Sequence, residues 1–484
     1  MSKLDPVTTF LDWAARQPDH PAVIQGAETI TYGELAHRVR CLAADISRRG
    51  SHPKVLVCLP QGADAYAAML ASLMAGGVYC PVNLEAPKAR NNLILKSFSP
   101  DVVIAEPGHQ IDLGDVDLCW QMIFPNLKQE SELECPRTSA ELAYVIFTSG
   151  STGIPKGVMI SRDAMMHYLA WAVPVLGMTP TDRCTQHPNI GFDLSVIDIY
   201  ATLCSGATLV PLNSRKYRLM PAEAVRDHEI SVWVSVPSVV DLIHRARQLS
   251  TTYLGSLRRL FFCGEPLLES HLEMIFTALP DVLIINSYGP TEGTVSCTEL
   301  ILTRENFRGF CCGSASLGRA IPGMGIDLVG GDHADEGEIV IWGPQVAKGY
   351  WNDTDRTANA FRRLDGRIAY HTGDWAVRED NLLYFRQRVD NQIKINGNRL
   401  ELGDVDAALR TLGISASCTV YTDGRLISFI EATSHVNKQD LVDRLSDLLP
   451  RYAIPSDIRV TTQLPRSVND KIDMLALKER VKYG

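Results

Sequence analysis

The sequence predicts an α/β protein: a large N-terminal domain with mostly parallel sheets plus a smaller turn-rich β part, and a small α+β domain at the C-terminal end. Up to about residue 300, short apolar runs alternate with helix-compatible stretches, the order that winds a parallel sheet. Beyond that point turn residues close shorter runs into hairpins, as in GEIVIWGPQVAKGYW, RIAYHTGDWAVRED and NLLYFRQRVD. From Asn391 onward the texture changes again, to a compact mixture long enough for an independent domain.

Taken in order, residues 7–16 carry a helical pattern, and AVIQGAETITYGEL reads as two short strands around Gly26 with a helix starting near Thr31. VLVCLP is a buried-strand run, AYAAMLASLMAG a buried helix and VYCPVN the next strand, which completes a β–α–β unit. DVVIAE, YVIFTS, ATLVPL, ISVWVSVP, LRRLFFCGE and VLIINSYGP continue the series. In such sheets the chemistry gathers at strand ends and in the loops that follow them. The C-terminal part reads as QIKINGNRLE, a helix over 402–412, the strands SCTVYT and LISFIEA, and a helix over 438–449. The boundary falls near Asp390, giving 1–389 and 391–484 as the two domains.

With 484 residues, 45% apolar and 21% charged, the chain has an enzyme-like globular balance and no low-complexity tract or repeat. A net charge of −9 offers no basic face to nucleic acid and no polybasic segment to an anionic membrane. The most apolar window, 67–82, is broken by Ser72, Gly76, Gly77 and Pro81, and MSKLDPVTTFLDWAA lacks an apolar signal core. A cytoplasmic protein without membrane insertion is expected. Twelve cysteines without C-x-x-C spacing fit reduced core thiols.

The segment YVIFTSGSTGIPKGVMIS concentrates groups suited to a polyphosphate behind an apolar run. Thr148, Ser149, Ser151 and Thr152 offer hydroxyl donors, while Gly150, Gly153 and Gly157 let backbone N–H groups approach phosphate oxygens. Lys156 adds a mobile positive charge. Neither the Walker spacing nor a strand-linked G-x-G-x-x-G is present. A flexible surface linker has a similar composition, but the buried-strand pattern AYVIF directly before the loop favours phosphate binding. NSYGPTEG joins Tyr288 for a purine, Thr291 for a phosphate and Glu292 for Mg2+, an ion that takes one or two carboxylates plus substrate phosphates. Taken alone, that loop reads equally well as an ordinary turn ending in a helix cap.

Together with ITYGEL, VYCPVN, GFDLSVIDIY, FFCGEPL, GEIVIWGPQVAKGYW, YHTGDW, VDNQIKINGNRLELGDVD and NDKIDMLAL, the two loops resemble the adenylate-forming superfamily of acyl-CoA synthetases, luciferases and peptide-synthetase adenylation domains. The likeness covers nearly the whole chain. It implies an ATP- and Mg2+-dependent ligase with a large AMP-binding domain and a small mobile one hinged near Asp390. By motif position, ATP meets the loop residues Thr148, Ser149, Gly150, Ser151, Thr152 and Gly153, then Gly264, and then Asn286, Ser287, Tyr288, Gly289, Pro290 and Thr291. Asp374 matches the family's ribose-binding Asp and Arg388 its ribose- or phosphate-binding Arg, with Phe385 nearby. Lys471 falls on the C-terminal catalytic lysine, which meets both ATP and the substrate carboxylate, and Lys156 and Glu292 complete the catalytic set. The physics agrees, since a carboxylate approaching an anionic phosphate needs cations at the α-phosphoryl oxygens. Asp470 and Gln387 depart from the pattern, standing where the family usually has Gly.

Asp193 in GFDLSVIDIY matches the Asp with which amino-acid-activating members pair the substrate ammonium, a charge-assisted contact worth about 1.5–3 kcal/mol. An Asp before LSVIDIY also suits a helix N-cap. FDLSV-x-D-x-Y, VW-x-S-x-PS and FCGE resemble the D-alanine–D-alanyl carrier protein ligases as a group. Motif position then implies a pocket lined by Leu194, Ile197, Val234, Phe261, Cys263, Ser287, Val295 and Ser296, with Cys263 touching the substrate methyl group and favouring the D-enantiomer. The implied partners are a small amino acid, D-alanine foremost, and a separate phosphopantetheine-bearing carrier protein, because few residues follow Lys471. Residues 391–401 are expected to border the thiol tunnel. A stand-alone peptide-synthetase-type enzyme for a small L-amino acid (Ala, Ser or Gly) is the alternative within the class, and a non-catalytic nucleotide-sensing relative the alternative outside it.

Overall fold

A computed structural model describes residues 3–106, 121–123, 133, 141–149, 154–388, 392–395, 397–432, 436–466 and 472–483. Its largest sheet has nine strands in the order Arg319–Ala320, Thr298–Leu302, Leu283–Asn286, Arg259–Phe262, Val232–Ser235, Arg183–Gln186, Thr208–Pro211, Pro21–Gln25, Glu28–Thr31. The pairings from Leu283–Asn286 to Pro21–Gln25 are parallel, and antiparallel strands close both edges. A second sheet has six strands in the order Gln121–Ile123, Val102–Ala105, Lys54–Cys58, Val78–Pro81, Leu142–Thr148, Lys156–Ser161, parallel except for the last pair.

Parallel strands covered on both faces read as unbroken apolar runs, and Val102–Ala105, Val78–Pro81 and Val232–Ser235 are buried at every position. The helices Ala63–Met74 and Leu194–Cys204 are buried on nearly all sides; only Asp64 escapes. Both share one apolar cluster with Val55 and Ile146 of the six-stranded sheet and Val23 and Phe261 of the nine-stranded one. That position explains why AYAAMLASLMAG has no polar face.

The turn-rich part is an antiparallel five-stranded sheet of Gly325–Gly330, Glu336–Trp342, Phe361–Leu364, Arg367–Glu379 and Leu382–Arg388. After it come the hairpin Gln392–Ile395/Asn398–Glu401 and a three-stranded sheet of Ser417–Thr422, Arg425–Glu431 and Asp457–Thr461. Leu400, Val405, Leu409, Ile430 and Leu445 form an apolar cluster of their own there. The helix expected over 438–449 ends at Ser446, close to Pro450, which disfavours helical backbone at the residue before it. Among the described residues no helix is long and apolar enough to cross a membrane. The described cysteines are free thiols, and all but Cys311 and Cys312 are buried.

Candidate active site

The strands Leu142–Thr148, Val232–Ser235, Arg259–Phe262 and Leu283–Asn286 deliver their last residues or following loops to one cleft of about 370 Å3. That is room for a small ligand and its nucleotide head. Thr148, Ser149, Asp193, Leu194, Cys263 and Gly264 line it, as do Gly289, Pro290, Thr291, Val295, Asp374 and Arg388. The Thr148 hydroxyl is buried without a hydrogen-bond partner among the described residues, so the phosphate loop begins with an unsatisfied donor. Gly150, Ser151, Thr152, Gly153, Asp390 and Lys471 lie outside the described residues.

Several predicted residues stand behind the cleft wall. The Asn286 amide donates to the Ser316 carbonyl (2.9 Å), the Ser287 hydroxyl to the Thr298 carbonyl, and the Ser296 hydroxyl to Tyr168 (3.4 Å). Ile197, Val234 and Phe261 are core residues, and Phe385 is half-buried away from the cleft. The wall facing a small side chain is therefore narrower than the motifs imply: Leu194, Cys263 and Val295 form it. Tyr288 is buried and donates its hydroxyl to Asp374 Oδ2 (2.5 Å), while Arg388 holds Oδ1 (2.6 Å) from the paired position on the neighbouring strand. Two donors thus fix the Asp374 carboxylate at the cleft edge.

Glu292 is fully buried. Its Oε1 accepts from the Tyr350 hydroxyl (2.8 Å) and faces Lys156 Nζ (3.6 Å), and its Oε2 accepts from Arg399 (2.9 Å). Burial alone would raise the pKa of this carboxyl; the Arg399 guanidinium, then the Lys156 ammonium, hold it well below the usual carboxylate range. Among the described residues no group of three or more His, Cys, Asp or Glu gathers as a metal cage. A single carboxylate beside phosphates is nevertheless a donor set that Mg2+ accepts. Here Tyr350 and Lys156 occupy one Glu292 oxygen and Arg399 the other, so the Arg399 guanidinium competes with a divalent ion for this carboxylate.

Asp193 precedes the helix Leu194–Cys204 but makes no side-chain cap, which removes the structural reading of this residue. It makes no ion pair with a described residue. Burial raises its pKa to about 6, against a hydrogen bond from Thr291 and the field of Lys394. Beside it, the Cys263 thiol is pushed up to about 11 by burial and is a neutral packing group rather than a nucleophile. Thr294 and Val295 have φ of 60° and 67°, a left-handed backbone rare for β-branched residues. Strain of this kind collects at binding sites.

The hairpin Gln392–Ile395/Asn398–Glu401 is seated in the cleft by three contacts. Ser149 donates to the Arg399 carbonyl (2.8 Å), Gly397 N–H to Glu265 (2.5 Å), and Arg399 to Glu292. Lys394 lines the cleft from the same hairpin. Individual roles for Lys394, Arg399, Glu265 and Tyr350 are not legible in the sequence, although QIKINGNRLE, FFCGEPL and GYW are the segments that carry them.

A cleft at the carboxyl ends of parallel strands, with the unsatisfied Thr148 hydroxyl, a clamped Asp–Arg edge and a buried Glu–Lys–Arg cluster, suits an adenylate-forming enzyme. The chain belongs to the AMP-binding enzyme family, whose profile matches residues 10–351. It is an AMP-forming ligase. It is similar to a D-alanine–D-alanyl carrier protein ligase of Listeria monocytogenes, 30% identical, with 97% of this chain and 98% of that protein covered. Bacitracin synthase 3 of Bacillus licheniformis is 31% identical over 97% of this chain, a match that spans 8% of that larger protein. The adenylation domain AlmE of Vibrio cholerae, solved with glycyl-adenosine-5′-phosphate, shares the fold with a TM-score of 0.85 at 24% identity, covering 100% of this chain and 99% of its own.

Proposed function

We propose that this ligase activates a small amino acid, D-alanine foremost, as its adenylate and passes it to the phosphopantetheine thiol of a separate carrier protein. The observation that carries this reading is Asp193: a carboxylate free of helix-capping duty, on the cleft wall, beside the small surface of Cys263 and Val295. A substrate ammonium is the partner it lacks. In the first step a substrate carboxylate oxygen bonds to the α-phosphorus of ATP and pyrophosphate leaves; in the second the thiol sulfur bonds to the carbonyl carbon and AMP leaves. Asp374 and Arg388 suit the ribose, and Thr148 with the loop after it suits the phosphates. Lys471 is assigned to the α-phosphate and the substrate carboxylate. Glu292 would hold Mg2+ against the ATP phosphates, where the ion offsets charge on the departing pyrophosphate.

The division into 1–389 and 391–484 with a hinge near Asp390 belongs to the same reading. The seated hairpin suits the transfer step, and its withdrawal frees Glu292 for the adenylation step. Gly397 tests this: its φ is +75°, and a Cβ there would lie 2.5 Å from Val236 Cγ1. Gly397→Val is expected to slow thiol transfer about tenfold or more while pyrophosphate exchange stays within about twofold, because a left-handed backbone and a clash both oppose seating. Equal losses in the two half-reactions would contradict the assignment.

Because the pKa of Asp193 is raised to about 6, its carboxyl becomes protonated as the pH falls through that value and loses its hold on the ammonium. The kcat/KM for the amino acid is expected to fall about tenfold per pH unit below that point. In Asp193→Asn this acid limb should vanish along with most of the activity.

Pyrophosphate exchange with both enantiomers of alanine and serine, and with glycine, is the direct test of substrate. Preference for a large or aromatic amino acid would sink the pocket assignment. A stand-alone peptide-synthetase-type enzyme for a small L-amino acid is the second reading, and the same assay separates the two.

A further inference from the structure

The loop after the strand Arg259–Phe262 carries Glu265 directly behind Gly264, whose φ is +99°. Gly264 lines the cleft, whereas the half-buried Glu265 does not. Its carboxylate meets two backbone donors from distant parts of the chain. Oε2 accepts from the Ser238 N–H (2.9 Å), and Oε1 accepts from the Gly397 N–H (2.5 Å). Ser238 opens the helix Ser238–Arg245, and the residue before it, Pro237, supplies no side-chain cap. Glu265 therefore satisfies one of the N–H groups that a helix start leaves open, and sets a negative charge at the positive end of that helix. Gly397 belongs to the turn of the hairpin Gln392–Ile395/Asn398–Glu401. The same carboxylate faces the C-terminal sheet: the pKa of Tyr421, on the strand Ser417–Thr422, is raised by burial and then by the charge of Glu265.

The two bonds differ in permanence. Ser238 and Glu265 are 27 residues apart and follow the paired parallel strands Val232–Ser235 and Arg259–Phe262, so the sheet itself fixes that contact. Gly397 is 132 residues away, and its left-handed backbone with no room for a Cβ beside Val236 is what brings its N–H within reach. We infer that Glu265 is a positioning residue for the transfer step: tied to the helix start through Oε2, it holds Oε1 at the point where the Gly397 N–H must arrive, and so sets the depth at which the hairpin seats. This inference rests on the reading that the seated hairpin serves thiol transfer. Arg399 on Glu292 is a second anchor on the same hairpin, and two anchors fix an orientation that one would leave free to pivot. Glu265 acts through Lys394 and Arg399, the side chains that the hairpin brings to the cleft.

The test compares the full wild-type chain with Glu265→Asp and Glu265→Gln. Aspartate keeps the charge at the helix start but is one methylene shorter, so one carboxylate no longer spans both donors; glutamine keeps the length and gives up the charge. Amide hydrogen exchange across residues 392–401 is expected to be about tenfold faster in Glu265→Asp, the scale of one lost charge-assisted bond, and less accelerated in Glu265→Gln. Exchange across the helix Ser238–Arg245 should keep its wild-type rate in Glu265→Asp. Single-turnover transfer from preformed aminoacyl-adenylate to pantetheine should slow in the same order, by about tenfold in Glu265→Asp, while pyrophosphate exchange stays within about twofold. Unchanged hydrogen exchange across 392–401 in Glu265→Asp would overturn the inference. So would equal losses in both half-reactions together with faster exchange of the helix, which is the signature of a residue that only supports the fold. A hairpin freed in Glu265→Asp with transfer at the wild-type rate would support the Glu265 contact and overturn the assignment of the seated hairpin to thiol transfer.

Discussion

Lys471→Ala is expected to lower amino-acid-dependent pyrophosphate exchange by about 10²–10³-fold or more, the usual effect of removing a group aimed at transition-state charge. Transfer from preformed adenylate to a pantetheine thiol should stay within about threefold, because an interaction made only in the first transition state is missing only there. The asymmetry follows from the seated hairpin: with Arg399 on Glu292, the C-terminal part presents Lys394 and Arg399 to the cleft. Exchange and transfer measured separately decide the matter, and exchange within a few-fold of wild type would remove Lys471 from the mechanism.

Asp193→Ala should cost about 10²–10³-fold in kcat/KM for the amino acid, because the substrate ammonium would be buried without its counter-charge. ATP affinity and thermal stability should hardly change: the side chain neither caps its helix nor joins an ion pair among the described residues. An unaltered kcat/KM would end the amino-acid reading, leaving the adenylation chemistry intact.

Much of this architecture is local and therefore visible in the sequence. Val102–Ala105 and Val232–Ser235 are covered on both faces and show it as unbroken apolar runs, and the buried helix Ala63–Met74 shows it as the loss of any polar face. Asp374 and Arg388 sit in recognisable motifs, and the strand register makes them partners. Pairings that depend on how distant segments meet were not legible. Arg399 reaches Glu292 across 107 residues, and nothing local to either announces it. Motif position likewise cannot tell a residue facing the cleft, such as Val295, from one turned into the core, such as Ser296 with its hydroxyl on Tyr168.

The left-handed backbone at Val295 bears on any attempt to re-tailor substrate choice by directed evolution. A library randomised at this codon would select on two properties at once. Shortening the side chain enlarges the recess, whereas glycine and asparagine also relieve a backbone geometry that costs most L-residues about 1–2 kcal/mol. Winners enriched for glycine would thus report conformational relief as much as new cargo. Val295→Ala changes volume and keeps the torsional burden, so the difference between the alanine and glycine variants separates the two. Position 295 is a poor place to read specificity from a selected residue alone, and Cys263, which stands opposite on ordinary strand-end geometry, is the cleaner dial.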